Sequence, residues 1–101
     1  MTHRMSEDGA TLTVAFTGQI NFSANIEFRD LLAEIVEKRP QRVVFDLSDL
    51  AAVDSVGLGL LYIANEEVAA MGAKLILAHP RDRVARLLEL TESAQIFEIL
   101  H

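Results

Sequence analysis

From Thr11 to Thr17 the chain alternates threonine with apolar residues, Thr11-Leu12-Thr13-Val14-Ala15-Phe16-Thr17, and a period of two puts every second side chain on one face of a strand. Glu7-Asp8-Gly9 just before it is a turn signal, so the opening residues are expected to form the other arm of a hairpin. Gly18 interrupts the alternation, and Asn21 or Ser23 offers a side-chain oxygen to cap the next element. The period then changes. Phe28, Leu31, Leu32, Ile35 and Val36 recur at i, i+3, i+4, i+7 and i+8, with Glu27, Arg29, Asp30, Glu34, Glu37 and Lys38 between them. That is one apolar stripe of a helix, which Pro40 ends.

Val43-Val44-Phe45 is a continuous apolar run that leads into Asp46-Leu47. Such a run suits a strand buried on both faces, which implies helices on both sides of the sheet. A short loop is expected through Asp49 and Val53. A helix follows from about Ser55, with Leu58, Leu61, Tyr62, Asn65 and Val68 near one stripe and Gly72 placed as its C-terminal cap. Lys74 to Ala78 reads as a strand, Pro80 as the start of a short helix with Val84, Leu87 and Leu88 inward, and Gln95 to Leu100 as an edge strand. The order β-β-α-β-α-β-α-β predicts a single α/β domain over residues 1–101. Its mixed β-sheet is flanked by helices, and its parallel part is joined by right-handed crossovers. The pattern does not specify the strand order.

Composition adds exclusions. With 101 residues, 50% of them apolar and 24% charged, the chain has the balance of one globular core and leaves no room for a second. A net charge of −6 repels nucleic acid, and the densest basic group, Arg81, Arg83 and Arg86, is interrupted by Asp82 and Glu89. The absence of cysteine removes disulfides, thiolate nucleophiles and sulfur-ligated metals. Met1-Thr2-His3-Arg4-Met5 lacks the apolar region of a signal peptide, and no apolar run approaches the ~20 residues that span a bilayer. A soluble, cytoplasmic protein that binds neither nucleic acid nor membrane is expected.

Chemistry concentrates between Phe45 and Leu61. His3, His79 and His101 are scattered, which gives little support to a catalytic triad or a metal site. Asp46, Asp49 and Asp54 read as solvated acids plus a helix cap rather than a Mg²⁺ cluster. Gly57-Leu58-Gly59 is not a dinucleotide fingerprint and lacks the lysine of a phosphate-binding loop. No cofactor is expected. Each glycine costs roughly 1 kcal/mol in a helix interior relative to alanine, so two of them near a helix start call for close approach of a partner or another backbone. Asp54-Ser55 is first of all an N-cap, since nearly every helix needs one. If Asp54 caps, Ser55 lies on the first turn with its hydroxyl outward, beside amides able to receive an anion, a geometry that suits a phosphoserine.

The segment Asp46-Leu47-Ser48, followed by Asp54-Ser55-Val56-Gly57-Leu58-Gly59, resembles the signature of STAS-domain anti-sigma-factor antagonists. There a strand ending in Asp-Leu-Ser is followed by an apolar loop and by Asp-Ser-(Ser/Thr)-Gly-Leu-Gly at a helix start. Thr17-Gly18-Gln19-Ile20-Asn21 is similar to the family's Gly-Glu-(Ile/Leu)-Asp, and the order of elements agrees over nearly the whole chain. The resemblance implies a non-enzymatic, phosphorylation-controlled switch in transcription regulation. Ser55 would be the phosphoacceptor, and Asn21, Asp54, Ser55, Val56, Gly57, Leu58 and Gly59 the partner-binding residues. It further implies an anti-sigma factor and serine kinase of the GHKL ATPase type as partner, and a PP2C-like phosphatase that resets the serine. Val56 replaces a small hydroxylated residue, Asn21 stands where Asp is common, and the family's C-terminal helix has no counterpart here. Two other functions remain open. One is a STAS module serving a non-sigma signalling or secretion-control pathway. The other is a small serine hydrolase built on Ser55, which the lack of a histidine base disfavours.

Overall fold

In the computed structural model, which describes all 101 residues, the expected hairpin opens the chain. Strands β1 (Thr2–Asp8) and β2 (Thr11–Ile20) pair antiparallel around Gly9, whose φ of +62° is the left-handed conformation that glycine tolerates. A 3₁₀ turn (Phe22–Ala24) leads into helix α1 (Asn25–Lys38). Strand β3 (Arg42–Val53), helix α2 (Ser55–Ala70), strand β4 (Lys74–Ala78), helix α3 (Asp82–Leu90), a second 3₁₀ turn (Ser93–Gln95) and strand β5 (Glu98–Leu100) complete the chain. The sheet order is β1-β2-β3-β4-β5, with β2 to β5 mutually parallel.

That order overturns the expectation of helices on both sides. Parallel strands added one after another in the same direction, through right-handed crossovers, carry every connecting helix over the same face. The buried residues of all three helices accordingly join one core. Phe28, Leu31, Leu32 and Ile35 of α1, Leu58, Leu61 and Val68 of α2, and Val84 and Leu88 of α3 meet Leu12, Val14, Phe16, Val43, Phe45, Leu47, Leu75 and Leu77 of the sheet. Phe16, Phe28 and Phe45 lie at its centre with ring centroids 5.0–6.1 Å apart, two of the three pairs edge to face. The opposite face carries no helix. Its Thr11, Thr13, Ala15 and Val44 are half-buried, which is why threonine alternates along β2.

Three boundaries and one side chain differ from the sequence reading. β3 does not end near Leu47 in a loop but runs to Val53, because β2 also continues past Gly18 to Ile20 and pairs with it through two register shifts. Val36 is 39% exposed, at the rim of the α1 stripe. α3 starts at Asp82 rather than Pro80, and β5 is confined to three residues. β4 pairs with β3 only between Arg42 and Asp46, and α3 packs against β3.

Candidate functional site

Two long parallel strands and their exits build the site. Ile20 of β2 is paired with Val53 of β3, and a single residue, Asp54, joins β3 to α2. Asp54 is held three ways. Its amide donates to the Ile20 carbonyl at 3.3 Å, its carbonyl accepts from the Leu58 amide at 2.8 Å, and its Oδ1 accepts from the Gly57 amide at 2.7 Å. The last is a charge-assisted N-cap bond. Ser55 is the first residue of α2 and is exposed.

The two glycines that the sequence placed together have separate roles. Gly57 is buried, and a Cβ there would overlap the Ile20 carbonyl oxygen, lie 2.7 Å from its carbon and come within 2.9 Å of Val53 Cγ1. Its missing side chain lets the first turn of α2 sit on the end of β2. The close approach is that of another backbone within the chain, one of the two reasons the sequence offered for the glycine. Leu58 is 9% exposed and packs in the core. Gly59 is half-exposed, and a Cβ there would meet nothing within 4 Å. Val56 is 40% exposed. The surface around Ser55 is therefore drawn from Asp54, Ser55, Val56 and Gly59.

Asn21, on the other wall, is half-buried. Its Oδ1 accepts from the Ser23 amide at 3.0 Å, which starts the 3₁₀ turn, and its Nδ2 donates to Gln19 Oε1 at 3.3 Å. This turn touches α2. It also carries a residue the sequence reading passed over, Phe22, and α1 presents another, Ile26; each is 75% exposed. A legible signal existed. Ile26 is apolar but off the Phe28–Leu31–Leu32–Ile35 stripe, and Phe22 precedes it, so neither had a place in the core. A large apolar side chain left this exposed contributes little to the core and is available to a partner.

The two ion pairs, Lys38 with Glu7 and Lys74 with Glu98 at 3.1 Å each, use none of the site's residues. No cluster of three or more His, Asp or Glu has the arrangement of a metal site. Asp46 accepts from the Ser48 amide at 3.1 Å, and Asp54 is engaged by Gly57. His79 and His101 border an open polar cleft with Ser48, Pro80 and Arg81, in which Ser55 takes no part. No helix is long and apolar enough to cross a membrane.

A sequential five-stranded sheet with three helices on one face, and a serine opening the helix after its central strand, defines the class: the STAS domain model matches residues 4–100, and the chain belongs to that family. A STAS-domain-containing protein of Pseudomonas aeruginosa is 33% identical over 94 residues, covering 93% of this chain and 92% of that one. Among solved structures, a candidate anti-sigma factor antagonist of Thermotoga maritima superposes with a TM-score of 0.88 at 20% identity, over 98% of this chain and 86% of that one. SpoIIAA of Bacillus, an anti-sigma factor antagonist solved in both unphosphorylated and phosphorylated forms, superposes with a TM-score of 0.73 in each. Identity is 16% and 15%, over 99% of this chain and 88% and 92% of those chains.

Proposed function

We propose that this protein is an anti-sigma factor antagonist that acts as a phosphorylation-controlled binding switch in the cytoplasm. With Ser55 unmodified, it binds an anti-sigma factor that is also a serine kinase of the GHKL ATPase type. Phosphorylation of Ser55 ends the engagement, and a PP2C-like phosphatase restores it. ATP and Mg²⁺ belong to the partner, and the domain binds without catalysing.

The observation that carries this reading is the placement of Ser55. It is an exposed hydroxyl on the first turn of a helix whose start is fixed to the sheet, followed directly by Val56, which the core leaves exposed. A phosphate adds about −1.5 to −2 charges at neutral pH. On such a surface it adds bulk and a desolvation penalty that a partner fitted to a hydroxyl does not meet. Each ~1.4 kcal/mol lost weakens binding tenfold, so a few suffice to separate the pair.

The test is reconstitution with the kinase-type anti-sigma factor encoded in the same organism. Wild type is expected to bind and, with ATP, to be phosphorylated at Ser55. Ser55→Ala binds and resists phosphorylation, and Ser55→Glu keeps its fold and binds poorly. Tight binding by Ser55→Glu together with continued phosphorylation of Ser55→Ala would sink the proposal.

A further inference from the structure

We infer that Asp54 is a positioning residue for the phosphorylated state: it denies a phosphate on Ser55 the Gly57 amide of its own helix and repels it, and so limits how far the phosphate folds back from the surface. The inference rests on the reading of Ser55 as phosphoacceptor and adds how the phosphate is presented.

Phosphoserine near a helix start would ordinarily settle onto the free amides there, as anions do. Such absorption would blunt a switch, since the added charge would be drawn into the domain. A helix leaves its first four amides unpaired, here those of Asp54, Ser55, Val56 and Gly57. Two are already taken within the chain, which leaves those of Ser55 and Val56. The Asp54 amide is given to Ile20, and the Gly57 amide, two residues past the serine, is given to the Asp54 carboxylate in the shortest of the junction's hydrogen bonds. Gly57 cannot turn to serve another acceptor, because its α-carbon is packed against the Ile20 carbonyl.

Charge acts in the same direction. Asp54 carries the only ionised side chain among Asn21, Phe22, Ser23, Asp54, Ser55 and Val56, and it is anionic. Neither of the chain's ion pairs places a cation there, and the Arg29 Nε is engaged with Asn25 Oδ1 at 3.0 Å. A dianion on Ser55 is repelled by its neighbour, and neither residue adjoining Ser55 in the chain is a cation. Asp54 thus does two separable things. It occupies the Gly57 amide, and it repels.

The test installs phosphoserine at position 55 during translation, so that no kinase is required, in wild type, Asp54→Asn and Asp54→Ala. Asn can still accept from Gly57 but lacks the charge, whereas Ala removes both; Asp54→Gly, a milder cap loss, replaces Ala if that variant does not fold. The Gly57 amide is followed by ¹H–¹⁵N NMR and the phosphate's second ionisation, near pH 6 when free, by ³¹P NMR. On phosphorylation the Gly57 amide is expected to stay in place in wild type and Asp54→Asn, and to shift downfield in Asp54→Ala as the phosphate takes it. The ionisation midpoint should be highest in wild type, lower in Asp54→Asn and lowest in Asp54→Ala. A Gly57 shift in phosphorylated wild type, or none in any variant, overturns the inference. Failure of a kinase to modify Ser55 would instead overturn the switch and leave these measurements standing.

Discussion

The chain passes from the carboxyl end of a parallel strand into a helix at two neighbouring places, after β3 and after β4, and builds them differently. The start of α2 is locked: Asp54 caps it with a side-chain bond, donates to Ile20, and is followed by a glycine seated on the same carbonyl. The start of α3 has no side-chain cap. Its N-cap residue is Arg81, whose carbonyl accepts from both Val84 and Ala85, and the approach runs through positive φ at His79 and Asp82. Beyond those backbone bonds, the buried residues Val84 and Leu88 anchor it. A surface whose readout is one modified oxygen needs a backbone that does not move when a partner arrives or leaves. The locked junction carries Ser55, and the loosely held one carries no residue assigned to the switch.

This contrast can be broken by substitution. The largest effect is expected at Gly57. Gly57→Val puts three carbons where the Ile20 carbonyl and Val53 already sit, so denaturant unfolding should show a loss of about 3 kcal/mol, the upper range for overpacking. A loss under about 1 kcal/mol would mean that α2 can lift from β2 and that its start is not locked.

Next come the caps. Asp54→Ala should cost about 1 kcal/mol, while Arg81→Ala, with no cap bond to lose, should stay within about 0.5 kcal/mol. Equal losses at the two positions would erase the distinction between the junctions. Gly59, two residues on from Gly57 and facing open space, should respond with the opposite sign. Gly59→Ala is expected to raise stability by up to about 1 kcal/mol through helix propensity alone, visible as a higher unfolding midpoint. A destabilised Gly59→Ala would show a contact there that the present packing lacks.

The smallest stability effects belong to Phe22→Ser and Ile26→Ser. Both side chains are 75% exposed, so unfolding free energies should move by no more than about 0.5 kcal/mol. Affinity for the partner should nevertheless fall at least tenfold if these residues are its apolar anchors, as calorimetry would read. A larger loss of stability than of affinity would return them to a structural role.

Much of the fold was legible because each element advertises its own period. The threonine alternation of β2, the Phe28–Leu31–Leu32–Ile35 stripe of α1 and the Gly72 terminus of α2, with φ +79° and its amide bonded to Ala69, are local consequences of backbone geometry. The site was legible in part for the same reason: Asp54 before Ser55 reads as a cap, and it is one. The residues from Asp49 to Val53 did not read as strand, because their pairing with Thr17–Ile20 depends on bulges that no local pattern announces.

The sequence by itself determined the order and kind of the elements, the single domain, and the helix start at Asp54-Ser55, since these depend on near neighbours along the chain. Only the tertiary structure decided that all three helices cover one face, that Gly57 and Leu58 turn inward while Val56 and Gly59 face out, and that Phe22 and Ile26 stay exposed. Those outcomes depend on which strands lie side by side and on how closely one backbone approaches another. A glycine that makes room for a partner and a glycine that makes room for the end of β2 are the same letter, and only the Ile20 carbonyl lying against Gly57 separates them.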